Sequence, residues 1–264
     1  MRPGEKFETK CYEYLKKSYK TNNTNFYHEG GMDSTKSDIA VVKNGSIEFY
    51  IEAKDTSAQS GQFVLLPDEN NEIFIFSPRN KSKPNEMTDI IIDYMNSEFQ
   101  RFNNAGTAGQ SLDIDTNVFA DWIIEHYKDK NVKYFISYDS DDYVIFPIHK
   151  FKQYFNILAN YRIKKSGSSE PAKKDIISVK QMINRYYDSA RFYQTEKKLF
   201  VDIPEKINKD KFILRNYTYY LSEQSSGDYE VRKLSNTYNM NVIFSIELIK
   251  SQDTKDLEEF ELDL

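Results

Sequence analysis

Two carboxylates and a lysine stand close together in the first quarter of this 264-residue chain. Asp38 is followed, after thirteen residues, by Glu52-Ala53-Lys54. Oxygen atoms are the ligands that a hard cation such as Mg²⁺ prefers, so Asp38 and Glu52 would supply two ligands and the carbonyl of Ala53 a third. The cation would polarise a phosphate group and lower the pKa of a water. Lys54 would orient that water and offset the charge that develops on the phosphate.

These side chains can converge only if the strands that carry them pair in one register. The runs DIAVVK and SIEFYIEAK flank Asn44-Gly45, which predicts a β-hairpin over residues 38–54. Side chains alternate across a strand, so pairing position 40 with 50 and 38 with 52 makes one face continuously apolar. Asp38 then shares the opposite face with Glu52 and Lys54. Because a slip of one residue reverses the faces, this register requires an odd-length connection or a bulge.

The spacing of an acid, any residue and a lysine is weak by itself. It recurs at Glu8-Thr9-Lys10, Glu196-Lys197-Lys198 and Asp253-Thr254-Lys255. An ordinary amphipathic hairpin with solvated charges is the alternative, since polar sheet faces are common. The copy at 52–54 differs because it ends a strand whose partner strand begins with an aspartate.

The pattern Ser37-Asp38, thirteen residues and then Glu52-Ala53-Lys54 resembles the PD-(D/E)xK nuclease superfamily, which includes many type II restriction endonucleases. Ser37 stands where proline is typical, but that proline is not a ligand. The resemblance covers roughly residues 4–76. It implies an α/β fold with a restriction-endonuclease-like core, in which helices flank a mixed central sheet. It also implies Mg²⁺-dependent hydrolysis of phosphodiester bonds in double-stranded DNA, with Mn²⁺ as a substitute.

The same resemblance implies roles for two further residues. Glu8, on the N-terminal helix, matches a glutamate that turns toward the metal site in many members. Gln62, or less well Gln59, lies in the stretch SAQSGQF, where some members carry a glutamine.

The elements that must position these residues form a mixed α/β pattern. Predicted helices cover residues 5–19, 87–102, 118–126, 149–158 and 174–187, and predicted strands beyond the hairpin cover 72–76, 132–138, 143–148, 161–165, 199–203, 212–221 and 241–248. The run SGSSEP at 166–171 has the composition of a linker. We therefore predict a catalytic core at 1–165 and a C-terminal α+β extension at 166–264 for DNA recognition, dimerisation or both.

DNA binding requires a local basic surface, because the net charge of the chain is −5. Arginine pairs well with guanine and asparagine with adenine, which makes the segment 231–241 a candidate base-reading loop. A polar turn between two strands is the alternative for this segment. The run RIKKSGSS, which begins at Arg162, combines basic and small hydroxyl residues that suit phosphate contact, and a solvated strand end is the alternative there. A homodimer on a palindrome would be the usual geometry. The candidate DNA-binding residues are Lys164, Lys165, Arg232, Lys233, Asn236 and Asn239.

Composition argues against several other classes. No apolar run approaches the roughly 20 residues of a membrane span, and the N-terminus lacks the apolar core of a signal peptide, so we expect a cytoplasmic protein. Cys11 is the only cysteine, which excludes an intrachain disulfide and a zinc ribbon. The three histidines lie far apart, and no Walker-type loop exists. The acidic residues 253–264 are typical of a solvated terminus.

Two other functions stay open at this stage. A structure-selective or defence nuclease, such as a junction resolvase, would use the same chemistry, although a small resolvase would not need so long a C-terminal half. A non-catalytic DNA-binding protein on the same fold would have a degenerate site, and the intact Asp38, Glu52 and Lys54 argue against it.

Overall fold

The computed structural model describes residues 3–29, 37–165, 167–195, 198–204, 207, 211–224, 226–235 and 238–264. The chain divides into two compact units. The first comprises Met1–Arg162 and Met240–Leu264, and the second comprises Ile163–Asn239. The prediction that residues 166–264 form one extension is therefore wrong for Met240–Leu264, because these residues return to the first unit.

Three helices of the first unit begin where side chains satisfy exposed backbone N–H groups. Asn85 and Thr88 form a capping box, Asp115 accepts from the N–H of Asn117, and Asp253 accepts from that of Lys255. Among the described residues, no helix is long and apolar enough to cross a membrane. The α-helices of the chain are α1 (Pro3–Tyr19), α2 (Glu86–Ser97), α3 (Phe99–Asn103), α4 (Thr116–Lys128), α5 (Phe151–Tyr154), α6 (Ile176–Asn184) and α7 (Thr254–Leu262).

The strands form three sheets, of which two lie in the first unit. The strands of that unit are β1 (Thr24–His28), β2 (Ile39–Lys43), β3 (Ser46–Ala53), β4 (Ser57–Asp68), β5 (Ile73–Phe76), β6 (Gln110–Ser111), β7 (Val132–Tyr138) and β8 (Tyr143–Pro147), with most of β9 (Phe155–Lys165). The strands that follow are β10 (Ser168–Ser169), β11 (Arg191–Thr195), β12 (Lys198–Asp202), β13 (Lys211–Leu214), β14 (Tyr217–Glu223), β15 (Tyr229–Leu234) and β16 (Tyr238–Leu248).

The first sheet has the order β1-β2-β3-β7-β8. Strands β3 and β7 are parallel and the other neighbours are antiparallel, so the predicted mixed sheet is confirmed. The second sheet has the order β5-β4-β16-β9-β6. The second unit contains the third sheet, β11-β12-β15-β14-β13, to which β10 adds beside β15.

Two hydrophobic cores cover the two faces of the first sheet. On one face, Cys11 and Leu15 of α1 and Phe260 of α7 pack against buried strand residues. On the other face, α2, α3 and α4 fill the space that is shared with the second sheet, where Trp122 and Phe63 are buried. Alternation along β3 therefore decides which of its side chains meet α1 and which lie on the α4 side.

Two sequence predictions are wrong in this unit. Residues 149–158 are only briefly helical, because α5 ends at Tyr154 and β9 begins at Phe155. The acidic tail is an ordered helix rather than a solvated terminus: Phe260 is fully buried, and the Tyr154 hydroxyl donates to the buried carboxylate of Asp256 at 2.7 Å.

Candidate active site

The hairpin β2–β3 has the register that was predicted from strand alternation. Ala40 pairs with Tyr50, and the pairing shifts by one residue nearer to the turn. Asn44 and Gly45 make a two-residue turn with φ values of +50° and +83°, a conformation that asparagine and glycine tolerate. The bulge restores the parity that this short turn would otherwise break, so the predicted register is confirmed, with the bulge rather than an odd-length connection.

Asp38, Glu52 and Lys54 consequently meet at the end of the hairpin. The backbone N–H of Ala53 donates to Asp38 Oδ2 at 3.0 Å, which fixes the aspartate beside the second strand. Lys54 Nζ donates to Glu52 Oε1 at 2.5 Å. The backbone N–H of Lys54 donates to the carbonyl of Ile136 on β7, so the lysine continues the parallel pairing beyond the end of β3. The structure thus brings together the predicted trio.

The electrostatics of the trio are those of crowded acids beside one cation. Burial and, after it, the Glu52 carboxylate raise the pKa of Asp38 to about 7, although Lys54 acts in the opposite direction. Burial alone would lower the pKa of Lys54, but Glu52, Tyr127 and Asp38 outweigh burial, and the pKa lies well above its usual value. Lys54 therefore stays charged, while Asp38 is held close to its point of protonation.

The donor atoms fit a hard divalent cation. Glu52 Oε2 is buried and has no hydrogen-bond partner, although Oε1 of the same carboxylate holds Lys54. The N–H and C=O of a strand residue point to the same side, so the carbonyl of Ala53 faces Asp38 as its N–H does. In the described part of the chain, no three or more histidine, cysteine, aspartate or glutamate side chains form a metal-binding group. Two carboxylates nevertheless suffice for Mg²⁺, which commonly binds one or two, with water and substrate phosphate completing its shell.

Comparison with known proteins finds one similar solved structure, an endonuclease. No protein-family model matches the chain, and no curated protein does. HhaI endonuclease, whose structure was solved in complex with DNA, is 37% identical to this chain. The match covers 98% of this chain and 97% of HhaI endonuclease, with a TM-score of 0.83.

The chain belongs to the HhaI endonuclease family. The resemblance to type II restriction endonucleases that residues 37–54 indicate is thereby confirmed, together with the restriction-endonuclease-like fold. The match extends over both compact units of the chain, well beyond the roughly 73 residues that carried the sequence resemblance.

Glu8 lies near the trio in this HhaI family member. Its carboxylate contributes to the raised pKa of Asp38, after burial and Glu52. Glu8 Oε2 lies 3.6 Å from His28 Nε2, which is an ion-pair distance but longer than a hydrogen bond, and Oε2 has no hydrogen-bond partner. The His28 ring stacks on Tyr12 with centroids 5.9 Å apart. The role of Glu8 stays a prediction, and sequence reasoning missed His28 because nothing in the sequence pairs it with α1.

Gln62 occupies a different environment on β4. Its Oε1 accepts a hydrogen bond from Gln59 Nε2 at 3.1 Å, and both side chains are exposed. The pairing of β4 with β16 is irregular between these two glutamines, and Gly61 has a φ of +122° there. This irregularity lets two residues at odd spacing share one face, and a catalytic role for Gln62 stays a prediction.

Residues at the C-terminal end of α4 line one side of the site, and the sequence analysis did not identify them as site residues. Lys54 Nζ lies 5.5 Å from the centroid of the Tyr127 ring, and Lys130 Nζ lies 5.1 Å from the same centroid. Burial lowers the pKa of Lys130, which Glu52 partly counteracts. Burial also lowers the pKa of His126 to about 4, helped by Lys130 and Lys54. Apolar spacing marks Tyr127 as a core residue, and no motif distinguishes it from the other tyrosines.

The predicted DNA-binding residues lie in the second unit. Arg232 on β15 bonds within the protein: its Nη1 donates to Glu230 Oε1 at 2.7 Å and to Glu170 Oε1 at 3.1 Å, and its Nε donates to Ser168 Oγ at 3.1 Å. Lys233 Nζ lies over the ring of Tyr217, 3.3 Å from its centroid.

The remaining DNA-binding candidates are Asn236, Asn239, Lys164 and Lys165. Asn239 belongs to β16, whereas Asn236 lies outside the described residues. Lys164 and Lys165 end β9, and their side chains lie outside the described part of the structure. DNA contact by any of these residues stays a prediction.

Proposed function

We propose that this protein is a Mg²⁺-dependent endonuclease that hydrolyses phosphodiester bonds in double-stranded DNA at a defined sequence, as type II restriction enzymes do. The observation that carries the proposal is the convergence of Asp38, Glu52 and Lys54 in a chain of the HhaI endonuclease family. The HhaI endonuclease structure contains DNA, which supports double-stranded DNA as the partner of this chain.

The chain's own residues divide the work of this reaction. Asp38, the unpartnered Oε2 of Glu52 and the carbonyl of Ala53 would hold the cation. Mg²⁺, when bound, would polarise the scissile phosphate and lower the pKa of a water. Glu52 Oε1 orients the Lys54 ammonium, which is positioned to offset charge that develops on the phosphate. The raised pKa of Asp38 means that binding a cation there would release a proton near neutral pH.

The test is cleavage of mixed-sequence duplex DNA with Mg²⁺, followed by sequencing of the ends. Discrete ends that share one sequence support the proposal. Ends at random positions would remove the sequence specificity, and preferential cutting of a four-way junction added to the same reaction would favour a structure-selective nuclease. No cutting with either Mg²⁺ or Mn²⁺ would count against enzymatic activity as a whole.

Substitutions in the trio, compared with a matched control, test whether these residues form the active site. Glu52→Gln and Lys54→Met should each reduce cutting by about a thousandfold or more, because each removes a charge from the reacting centre. Lys255→Met is the control, since Asp253-Thr254-Lys255 has the same acid and lysine spacing but lies at the start of α7. Cutting at the wild-type rate by both Glu52→Gln and Lys54→Met would show that the active site lies elsewhere.

The homodimer is a separate part of the proposal. A dimer would allow both strands of a palindrome to be cut in one binding event. Sedimentation velocity with and without a duplex that contains the cleavage site measures the stoichiometry directly, and one protein chain per duplex would refute the dimer.

A further inference from the structure

The aromatic ring of Tyr127 stands against the lysine of the trio. Tyr127 is 4% exposed and lies in the last turn of α4, and its ring packs edge-on against Phe135 of β7 with centroids 5.2 Å apart. Phe135 pairs with Glu52 in the parallel ladder of β3 and β7. The ring is therefore anchored to the same strand pair that carries the trio.

The Lys54 ammonium has two neighbours of opposite kind. Glu52 Oε1 accepts its hydrogen bond. The Tyr127 ring centroid lies 5.5 Å away, within the range of a cation–π interaction, and the Tyr127 hydroxyl also interacts with the ammonium. The side chain of Lys54 is only 13% exposed, so little water competes with these contacts. A lysine has four side-chain torsions, and the hydrogen bond to the neighbouring carboxylate alone would leave most of them undetermined.

We propose that Tyr127 is a positioning residue that acts through Lys54: its ring confines the ammonium to the direction in which it meets the phosphate. The inference rests on the proposed role of Lys54 in DNA cleavage. Glu52 holds the ammonium by a hydrogen bond and Tyr127 closes the side toward α4, so the two side chains together limit the positions that the ammonium can take. Tyr127 itself touches neither metal nor substrate.

Lys130 is the alternative partner of the Tyr127 ring. Its ammonium lies 5.1 Å from the centroid of the same ring, so Tyr127 could in principle serve Lys130 instead of Lys54. The hydrogen bond between Lys54 and Glu52 ties Lys54 to the trio directly, whereas Lys130 precedes β7 on the connection from α4. Double-mutant cycles separate the two lysines, because residues that act through one group are non-additive with it and additive with others.

The experiment measures single-turnover cleavage at saturating DNA and DNA affinity. Tyr127→Leu should lower the cleavage rate about 30-fold, which corresponds to about 2 kcal/mol, the size of a desolvated cation–π contact. DNA affinity should stay within about twofold. Tyr127→Phe retains the ring and should stay within about threefold of the wild-type rate, so the conservative variant rescues the loss.

Repeating Tyr127→Leu in the Lys54→Met and Lys130→Met proteins shows through which lysine Tyr127 acts. In Lys54→Met, Tyr127→Leu should add less than about a threefold further loss, and in Lys130→Met it should keep its full effect. Equal losses in wild type and in Lys54→Met would overturn the inference, as would an effect that disappears only in Lys130→Met. Phe146→Leu is the matched control for packing, because it removes a fully buried ring from the same core on β8.

A second measurement does not require cleavage. Acylation of Lys54 Nζ by an amine-reactive ester at pH 8 in EDTA, followed by peptide mass spectrometry, reports how firmly the ammonium is held. Tyr127→Leu should raise the rate of Lys54 labelling about tenfold, and Tyr127→Phe and Phe146→Leu should leave it within about twofold of wild type. Unchanged labelling in Tyr127→Leu would overturn the positioning role.

The two measurements also separate this inference from the proposed function. If Lys54→Met cuts DNA at the wild-type rate, the catalytic role of Lys54 fails, whatever Tyr127 does to labelling. If Lys54→Met is inactive and Tyr127→Leu is fully active, the proposed function survives and the inference about Tyr127 fails.

Discussion

Replacing Asp38 with asparagine should stabilise the metal-free protein at pH 8 although it abolishes cleavage. The amide imitates the protonated acid and can still accept the hydrogen bond from the N–H of Ala53. Removing one of two crowded carboxylates relieves the repulsion from Glu52 that contributes to the raised pKa of Asp38. The aspartate is thus expected to be kept for function at the expense of stability.

The magnitude follows from the pKa. The pKa of Asp38 rises from 3.8 to about 7. A rise of about three pKa units, at about 1.4 kcal/mol per unit, would correspond to about 4 kcal/mol of stability for a fully buried group. Asp38 is partly exposed, and screening by water reduces the expected gain to about 1–2 kcal/mol. The folded protein binds more protons than the unfolded chain between about pH 4 and pH 7, so stability falls as pH rises through this interval. The gain should therefore be full at pH 8 and about a third as large at pH 5.

The assay is urea denaturation in EDTA at both pH values, repeated with Mg²⁺ at pH 8. Mg²⁺ at ten times its dissociation constant should stabilise the wild type by about 1.4 kcal/mol and leave Asp38→Asn almost unchanged. Asp139→Asn is the control of opposite sign, because the N–H groups of Asp142 and Asp141 lower the pKa of Asp139. An Asp38→Asn protein that is less stable than wild type at pH 8 in EDTA would refute the reasoning.

Three further substitutions, two in the first unit and one in the second, test the fold by urea denaturation. Gly61→Ala should cost about 2–4 kcal/mol, because the added Cβ would lie 2.7 Å from the Trp122 ring at a φ of +122°. Phe260→Ala should cost about 3–5 kcal/mol, because it empties a fully buried position under the first sheet. Arg232→Met should cost about 2–3 kcal/mol, because it leaves the buried carboxylate of Glu230 without its nearest cation.

Each of these substitutions has a matched control. Gly106→Ala also has a positive φ but meets no atom within 4 Å, so a loss as large as that of Gly61→Ala would contradict the steric argument. Leu262→Ala removes an exposed side chain of the same helix as Phe260 and should be neutral. Adding Glu230→Gln should restore part of the stability lost in Arg232→Met, and no recovery would show that the ion pair is not the cause.

The hairpin could be predicted because the apolar and charged residues of its own two strands determine how the strands pair. Ile39 and Ile51 are apolar on one face and Glu52 and Lys54 are charged on the other, so only one pairing buries the first set without the second. The constraint is local, and it required either an odd-length connection or a bulge, of which the structure has the bulge. Asp38 then followed from parity alone.

The parts of the site that come from distant segments could not be predicted in this way. Tyr127, Lys130 and His28 reach the site through packing between α4, α1 and the sheet, and no periodicity in their own segments reports that packing. The error at residues 149–158 has a related cause. Phe151, Phe155 and Leu158 have helical spacing, but pairing within the second sheet takes the chain from Phe155 onward and leaves Leu158 58% exposed.

The position of β16 has a consequence for how the protein comes into being on the ribosome. This strand lies between β4 and β9 in the second sheet, yet all but its first two residues are translated after Ile163–Asn239. The second unit is thus an insertion within the first, and the nascent chain carries a gap in its sheet until β16 and α7 emerge. Closing that gap joins segments far apart in sequence, which slows folding. The second sheet of a nascent chain would therefore stay incomplete until β16 has been made.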